Sequence, residues 1–339
     1  MLRSLARIAV HLDIDNAANR VVEGFYSNSR AATDRFARRF QVLAYHKVSP
    51  DPHPFFEPEH PEIFEQHMQF LSRCYRVMPL LELVERNHRG DVPDRAVAIT
   101  FDDGYRDNYE YAFPILKKYG LPATIFVATG SIDTGQTLWH DRVFDSFRFA
   151  TREHASLRHA GLADLSLETP ELRQHNVTLV LTRAKELYGR SRLQFVEEVE
   201  KALRPSIPKG AEDRMLTWEQ IREMHRSGIE FGSHTVTHPV LSRIPHDEIA
   251  RELRESKREL SEHLDAPVYT FAYPNGHAAD YNNQVKKLLK ETGYLCAVNC
   301  EAGFNRVFSD PYEIKRGKPW HKDVELFRFA FFLQRHGLN

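Results

Sequence analysis

The stretch Ala-Val-Ala-Ile-Thr-Phe-Asp-Asp-Gly-Tyr, residues 96–105, constrains the fold of this chain more than any other. Strand-forming residues followed by two carboxylates and a glycine predict a buried strand that ends in a sharp turn. Asp102 and Asp103 would repel each other and lose hydration there, so they need a cation, strong donors or a raised pKa in one of them. Two interpretations remain open: a metal site, or an N-terminal cap of the next helix.

Predicted strands alternate with predicted helices along the rest of the chain. Short β-forming runs end at turns or polar residues, and amphipathic segments with helical spacing separate them. Strand, helix and strand with short connections imply parallel pairing through right-handed crossovers, so the sequence predicts an α/β fold. The runs that we interpret as strands are 40–45, 96–101, 123–128, 229–233, 267–273 and 294–298, with 313–316 as a further candidate.

Three segments fall outside this alternation. Residues 1–40 predict a helical or loosely attached leader of mixed charge. Residues 131–215 are rich in Arg, Glu and Leu and too long for an ordinary βα loop, which predicts a helical insertion on the rim without a clear strand. Residues 321–339 predict a closing C-terminal helix. The length of 339 residues allows one large domain or two smaller ones.

Composition and charge exclude several classes of protein. The 46 basic and 47 acidic residues nearly cancel, and no long block of one sign suggests nucleic-acid binding. Arg7 and His11 interrupt the short apolar run at the start, so we expect neither a secretory signal nor a membrane span. We therefore expect a cytoplasmic protein, compatible with a short amphipathic contact at a membrane surface. Three cysteines imply no disulfide framework.

His234 and His238 directly follow the predicted strand 229–233. Four-residue spacing on a helical turn places two imidazoles on one face, within reach of a single metal ion, although a purely structural turn is also compatible. The metal interpretation is stronger beside Asp102 and Asp103, because both pairs would lie at carboxyl ends of strands in one sheet. Two His and one carboxylate leave coordination positions open, which is typical of a catalytic metal site.

Two of these motifs resemble those of a known enzyme family. Thr-Phe-Asp-Asp-Gly at 100–104, followed by Ser-His-Thr-Val-Thr-His at 233–238, resembles the polysaccharide deacetylases, the carbohydrate esterase family with the NodB homology domain. The resemblance covers residues 41–320 and is closest in pattern to exopolysaccharide poly-N-acetylglucosamine deacetylases. It implies a distorted (β/α) barrel of seven or eight strands that carries the helical insertion.

The resemblance also implies roles for the motif residues. Asp103 would bind a divalent metal together with His234 and His238, and Asp102 would be the general base that takes a proton from the attacking water. The chemistry agrees, since a metal lowers the pKa of a bound water to about 7 and a nearby carboxylate can complete its activation. Zn is the leading candidate for two His and one carboxylate, and Co, Ni or Fe also fit such ligands.

The third motif of the family is altered in this chain. Phe-Ala-Tyr-Pro-Asn-Gly at 271–276 occupies its place, and Ala272 stands where the family commonly has an Arg that orients the base. Arg316, from a later predicted strand, is the candidate replacement. Tyr273 is a candidate for the backbone contact to the oxyanion. Trp139, at the start of the insertion, is a candidate substrate contact.

The general acid is the least determined residue. The family's usual final motif, Leu-x-x-His near the C-terminus, is not visible here. Some exopolysaccharide deacetylases place an equivalent His near the N-terminal end of the domain, and Ala-Tyr-His-Lys-Val at 44–48 is similar to that version. His46 is therefore the expected acid, because it follows a strand and can face the same rim, with His321 as the alternative.

Together these residues predict a metal-dependent hydrolase that removes the N-acetyl group from amino sugars of a polysaccharide or glycan precursor. An O-acetyl ester, or a formyl group on a lipid-linked amino sugar, is an alternative substrate. A non-catalytic carbohydrate-binding protein on the same scaffold is a second alternative. Loss of either Asp or of a metal His would favour that alternative, and all four are present.

Overall fold

A computed structural model of the chain describes residues 39–209, 214–317 and 323–336. The predicted leader lies almost entirely outside these residues, as does His321. The strands are β1 (Arg39–Tyr45), β2 (Arg76–Val77), β3 (Ala96–Phe101), β4 (Thr124–Val127), β5 (His154–Ser156), β6 (Asp164–Ser166), β7 (Glu230–Ser233), β8 (Thr270–Ala272), β9 (Cys296–Val298) and β10 (Asn305–Arg306). The helices are α1 (Pro61–Cys74), α2 (Leu80–Arg89), α3 (Phe113–Tyr119), α4 (Trp139–Arg148), α5 (Pro170–Glu186), α6 (Gly189–Leu203), α7 (Trp218–Arg226), α8 (His246–Leu264), α9 (Asn283–Thr292) and α10 (Val324–His336).

The main sheet has the strand order β10-β1-β3-β4-β7-β8-β9, with β2 also paired to β3. All of these pairs are parallel except that of β1 with β10. The six strands predicted as regular strands correspond to β1, β3, β4, β7, β8 and β9. Parallel strands that alternate with helices confirm the predicted α/β fold.

An irregular segment links the two ends of this sheet. The Asn299 amide donates to the Ile314 carbonyl at 2.9 Å, and the Ala44 amide donates to the Gly317 carbonyl at 3.0 Å. Residues 314–317 thus bridge β9 and β1 and curl the sheet into a distorted barrel, as predicted. The strand expected at 313–316 is wrong in detail, because this segment forms only isolated bridges and no regular strand.

Strand β3 lies in the middle of the sheet and is buried along its whole length. Val97, Ile99 and Phe101 belong to the larger hydrophobic cluster, which includes residues of α1 and α3. Ala96 and Ala98 point to the opposite face and pack with β8 and β9 residues in a second cluster. A strand covered on both faces needs a continuous apolar run, and this explains why the sequence before Asp102 does not alternate.

The insertion at 131–215 contains α4, α5 and α6, which confirms its helical character, but it also contains the antiparallel hairpin of β5 and β6. The expectation that it lacks strands is therefore wrong. Each hairpin strand has three residues with only the middle one buried, Ala155 and Leu165, which is too short to give a periodic signal. The insertion has its own hydrophobic cluster, formed largely by side chains of its three helices.

The C-terminal helix is present as predicted and packs on α1. The ring of Phe327 stacks on His67 with centroids 3.9 Å apart, and Phe331 contacts Tyr75. The Gln41 side chain donates to the Phe331 carbonyl at 3.1 Å, which joins the helix to β1. Among the described residues, no helix combines the length and the apolar character that crossing a membrane would require.

Candidate metal centre and active site

A cleft of about 160 Å³ opens at the carboxyl ends of the central strands. His46 follows β1, Asp102 and Asp103 follow β3, and His234 follows β7. The insertion covers one side of the cleft. The residues that line it are His46, Phe56, Asp102, Asp103, Trp139, His140, Phe144, Leu181, Lys185, His234, His238, Asn275 and Cys300. The structure therefore brings the predicted metal ligands, base and acid into one cavity.

Asp103, His234 and His238 converge on one point. The Nε2 atoms of His234 and His238 lie 3.5 Å and 3.4 Å from Asp103 Oδ1, and one ligand atom from each residue lies within 4.8 Å of the others. Asp103 Oδ1 is buried and accepts no hydrogen bond from the described residues. Burial, followed by the neighbouring carboxylates Asp102 and Asp141, raises the pKa of Asp103 well above its ordinary value. Two imidazoles beside a buried carboxylate oxygen that accepts no hydrogen bond from the described residues fit a divalent ion such as Zn, and also Co, Ni or Fe.

Strained turns aim these side chains into the cleft. Asp103 (φ 76°), Thr235 (φ 69°) and His238 (φ 53°) have left-handed backbone, which non-glycine residues rarely adopt. The carboxylate of Glu252, buried on α8, accepts hydrogen bonds from the amides of Val236 and Thr237 at 2.7 and 2.9 Å. Glu252 therefore holds the loop that leads to His238, the second predicted His ligand. Sequence reasoning did not identify Glu252.

Hydrogen bonding sets the tautomer of His234. Its Nδ1 lies 2.8 Å from the Ala272 carbonyl, which can only accept, so Nδ1 carries the proton. The Nε2 lone pair then points toward Asp103 and is free to bind a metal, which is the usual arrangement for metal-ligating His. The residue that replaces the family's Arg thus contributes its backbone carbonyl to the site.

Arg316 holds the predicted base. Its Nη1 and Nη2 donate to Asp102 Oδ1 and Oδ2, each at 2.7 Å, and both side chains are fully buried. The guanidinium is fixed in turn by the Asn299 carbonyl at 2.7 Å and by Thr100 Oγ1 at 3.2 Å. Burial raises the pKa of Asp102, but the charge and hydrogen bonds of Arg316, together with His234 and His46, outweigh it and lower this pKa well below the ordinary value. The hypothesis that Arg316 replaces the missing motif Arg agrees with this geometry.

His46 lies on the same side of the cleft as the base. Its Nε2 is 3.7 Å from Asp102 Oδ2, and the ring contacts Phe56 with centroids 5.4 Å apart. The side chain is 27% exposed, so it can reach a bound molecule, unlike the buried candidate metal ligands. The alternative acid, His321, lies outside the described residues.

The predictions for Trp139 and Tyr273 have different outcomes. Trp139 lines the cleft, and its Nε1 donates to the His238 carbonyl at 3.0 Å. The Tyr273 amide donates to the Val298 carbonyl at 3.1 Å, so it belongs to the ladder between β8 and β9. The prediction that this amide contacts an oxyanion is therefore wrong. Asn275, two residues later, lines the cleft instead, and its Nδ2 is buried without a hydrogen-bond partner among the described residues.

A buried polar chain next to the metal ligands was not predicted. Lys47 Nζ donates to Asp141 Oδ1 at 2.8 Å, and the Tyr105 hydroxyl donates to Asp141 Oδ2 at 2.9 Å. Burial raises the pKa of Asp141, but the charge and hydrogen bond of Lys47, together with His140 and Arg214, outweigh it and lower this pKa to about 2, so the carboxylate is ionised and can only accept. Each residue is ordinary in sequence, and only the fold brings Lys47 to the insertion.

This chain determines the tautomer of His140. The Tyr105 hydroxyl gives its single proton to Asp141, so the contact of 3.1 Å between Tyr105 and His140 Nε2 requires that the imidazole donates. His140 Nδ1 is then an acceptor, and no described residue donates to it. Since His140 lines the cleft, the site offers an acceptor close to the metal ligands.

Comparison with known proteins agrees with this geometry. Residues 89–297 match the family profile described as polysaccharide deacetylase. A poly-beta-1,6-N-acetyl-D-glucosamine N-deacetylase of Staphylococcus epidermidis is 27% identical over 180 residues, which cover 50% of this chain and 58% of that protein. The chain spans less than two thirds of the length of the first curated relatives that it matches.

Solved structures show the same fold. IcaB from Ammonifex degensii superposes with a TM-score of 0.58 at 21% identity, covering 87% of this chain and 97% of that one. The Streptococcus pyogenes deacetylase PplD gives a TM-score of 0.54 at 21% identity, covering 83% of this chain and 92% of that one. The distorted barrel of this chain is therefore the NodB-type barrel of these deacetylases.

Proposed function

This chain belongs to the polysaccharide deacetylase family, and we propose that it removes the N-acetyl group from amino sugars of a polysaccharide or glycan precursor with a divalent metal. One observation carries the proposal. Asp103, His234 and His238 converge on a point beside Asp102, which a buried Arg316 holds in one orientation. A base next to an open metal site is an arrangement that can hydrolyse an amide.

The metal would be held by Asp103 Oδ1 and by one imidazole nitrogen of each His. When bound, the ion supplies Lewis acidity, which polarises the acetyl carbonyl and lowers the pKa of water. Zn suits this donor set best, and three protein ligands leave room for substrate. The converging donor atoms and the buried, unpartnered Oδ1 support this assignment.

Asp102 acts as the general base. Its low pKa keeps the carboxylate ionised near neutral pH, so it can accept a proton from the attacking water. The two bonds from Arg316 occupy one direction of each oxygen and fix the plane of the carboxylate. The remaining lone pairs are available to the cleft, which Asp102 lines.

His46 acts as the general acid. It lies 3.7 Å from the base and is exposed to the cleft, so it can donate a proton to the departing amine nitrogen. Asn275 Nδ2 is a donor positioned to bind the developing oxyanion in place of Tyr273. His140 Nδ1 accepts a hydrogen bond from a hydroxyl or amide N–H of the sugar.

Release of acetate from defined substrates tests the proposal. The purified protein, loaded with Zn or Co, is incubated with N-acetylglucosamine oligomers of β-1,6 and β-1,4 linkage, with O-acetylated sugars and with N-formyl amino sugars. We expect acetate and free amine from at least one N-acetylated oligomer, and loss of both with Asp102→Asn. Release from O-acetyl or N-formyl substrates alone would contradict the N-acetyl assignment. Glycan binding without any turnover would instead indicate a non-catalytic carbohydrate-binding protein.

A further inference from the structure

The backbone carbonyl of His238 accepts two hydrogen bonds from side chains of the insertion. Trp139 Nε1 donates at 3.0 Å and Arg192 Nη1 donates at 3.2 Å. The Arg192 guanidinium also lies over the Trp139 ring, 4.8 Å from its centroid. We propose that Trp139 and Arg192 are positioning residues that hold His238 in its ligand geometry, so that the insertion is an integral part of the metal centre. This inference rests on the proposed metal site.

The two His ligands are held in different ways. His234 Nδ1 donates to the Ala272 carbonyl, so a partner on the ring itself fixes its orientation. His238 Nδ1 is buried and has no hydrogen-bond partner among the described residues. The orientation of the His238 ring must therefore be set through its backbone and by packing. Backbone support therefore matters more for the ring orientation of His238 than for that of His234.

The backbone of His238 needs such support because its conformation is strained. Its φ of 53° is left-handed, a backbone conformation that is unfavourable for a non-glycine residue. Within the barrel the His238 amide donates to Thr235 Oγ1 at 3.0 Å, which ties down one side of the residue. The donors for its carbonyl come only from α4 and α6 among the described residues. Two bonds to one carbonyl define its direction and oppose relaxation of the turn.

Arg192 is an unusual residue for a purely structural role. It is 3% exposed, and no carboxylate of the described residues lies within ion-pair distance. Its Nε donates to the carbonyls of Ala184 and Leu187, at 3.1 and 2.8 Å, and Nη1 donates to His238. Burial lowers the pKa of Arg192, and the charge of Glu252 offsets this only in part, so an apolar side chain would fill the same space at a lower desolvation cost. The Arg192 guanidinium joins the carbonyls of Ala184 and Leu187, at the end of α5, to the carbonyl of His238. This link gives a reason for an arginine at this position.

Metal affinity of variant proteins tests this inference. We expect Trp139→Phe, which keeps a ring and loses the N–H, and Arg192→Met to weaken Zn binding about 10- to 100-fold, the range found when partners of metal ligands are removed. Arg192→Lys should weaken it less, because an ammonium can still donate to the His238 carbonyl. Affinity is measured by competition with a chromophoric chelator. The visible spectrum of the Co-loaded protein reports ligand geometry independently of activity.

Two controls separate positioning from general stability. Arg142→Met removes another arginine of the insertion, one that pairs with Glu200 at 2.8 Å and does not contact His238. Trp218→Phe changes a tryptophan on α7 that stacks on His263. Both controls should bind Zn like the wild type even if their melting temperatures fall.

The inference fails if Trp139→Phe and Arg192→Met bind Zn with wild-type affinity and give an unchanged Co spectrum. It also fails if Arg142→Met weakens binding as much as they do, because the effect would then reflect folding of the insertion. A wild-type protein that binds no divalent metal would overturn the proposed function itself. Wild-type binding with unaffected variants would overturn the positioning role alone.

Discussion

The carboxylate of Asp102 and the guanidinium of Arg316 form two parallel hydrogen bonds of 2.7 Å, although 214 residues separate them in sequence. Both side chains are buried, so each charge depends on the other. Removal of one partner leaves a buried charge without compensation, which typically lowers the free energy of unfolding by about 3–5 kcal/mol. Few single substitutions destabilise a protein by more than this. The pair therefore serves both the orientation of the base and the stability of the barrel.

We expect Arg316→Met to lower kcat about 100-fold or more and to reduce the free energy of unfolding by about 3–5 kcal/mol. Arg316→Lys keeps the charge but loses the bidentate geometry, so it should recover much of the stability and less of the activity. Urea unfolding and acetate release measure the two effects. Full activity in Arg316→Met would show that the base needs no such partner.

The metal site predicts one divalent ion per chain. His234→Gln should lose the ion and the activity, whereas His88→Gln, a change at an exposed position on α2, should keep both. Elemental analysis after dialysis gives the stoichiometry, and chelation followed by return of Zn tests reversibility. Retention of one tightly bound ion in His234→Gln would contradict the ligand assignment.

Substitution of the proposed acid should separate chemistry from metal binding. We expect His46→Gln to lower kcat by about 10²- to 10⁴-fold with an unchanged metal content, because the proposed role of His46 is to donate a proton and not to bind the ion. His321→Gln should remain close to wild type. The opposite result, activity lost with His321→Gln and kept with His46→Gln, would transfer the role of acid to the C-terminal residue.

His140 should affect substrate binding more than the chemical step. Loss of one hydrogen bond to the sugar in His140→Phe is expected to raise KM by about 5- to 10-fold, which corresponds to about 1 kcal/mol. His140→Gln retains an acceptor and should be closer to wild type. Steady-state kinetics and metal content are measured together, because a loss of metal in His140→Phe would identify this residue as a ligand instead.

The buried pair of Lys47 and Asp141 predicts a pH-dependent difference in stability. Because its pKa is lowered to about 2, the Asp141 carboxylate stabilises the fold above the unfolded-state pKa of about 4. That contribution, about 2 kcal/mol, is lost as the pH falls from about 4 to 2. Lys47→Met should therefore be less stable than wild type at pH 7, and the difference should shrink toward pH 2.

The double variant Lys47→Met with Asp141→Asn provides the control for this pair. It removes both charges, so it should be more stable at pH 7 than Lys47→Met alone. Urea unfolding is measured at pH 7, 5, 4 and 3. A difference between wild type and Lys47→Met that stays constant over this range would show that Asp141 does not titrate with the lowered pKa.

Most of the regular fold could be predicted because its signals are local. The apolar run before Asp102 and the helical periodicity between strands are each contained within a few neighbouring residues, so strand and helix positions follow from them. Strands of two or three residues, such as β5 and β6, carry too little pattern to be found. Residues 313–316 form no regular strand for a different reason, since a segment that joins two sheet edges can do so through isolated bridges.

The expected oxyanion contact shows a second limit of sequence reasoning. The motif at 271–276 indicates a turn near the site, but it does not tell which residue is the last to bond within the sheet. In the structure the Tyr273 amide is still part of the ladder, and Asn275 is the residue that reaches the cleft. Composition does not show whether the residue that faces the cleft is Tyr273 or Asn275, two positions later. That difference decides which group can contact the substrate.

The sequence by itself determined the candidate metal ligands and the candidate base, because Asp102 and Asp103 are adjacent and His234 and His238 share one short turn. Local spacing places the two members of each pair together, and the carboxyl ends of parallel strands in one sheet place both pairs at the same edge. The tertiary structure decided what holds them, namely Arg316 on the base and the insertion on the His238 carbonyl. Those contacts join segments that are distant along the chain, and they depend on how the barrel closes and how the insertion packs over its mouth.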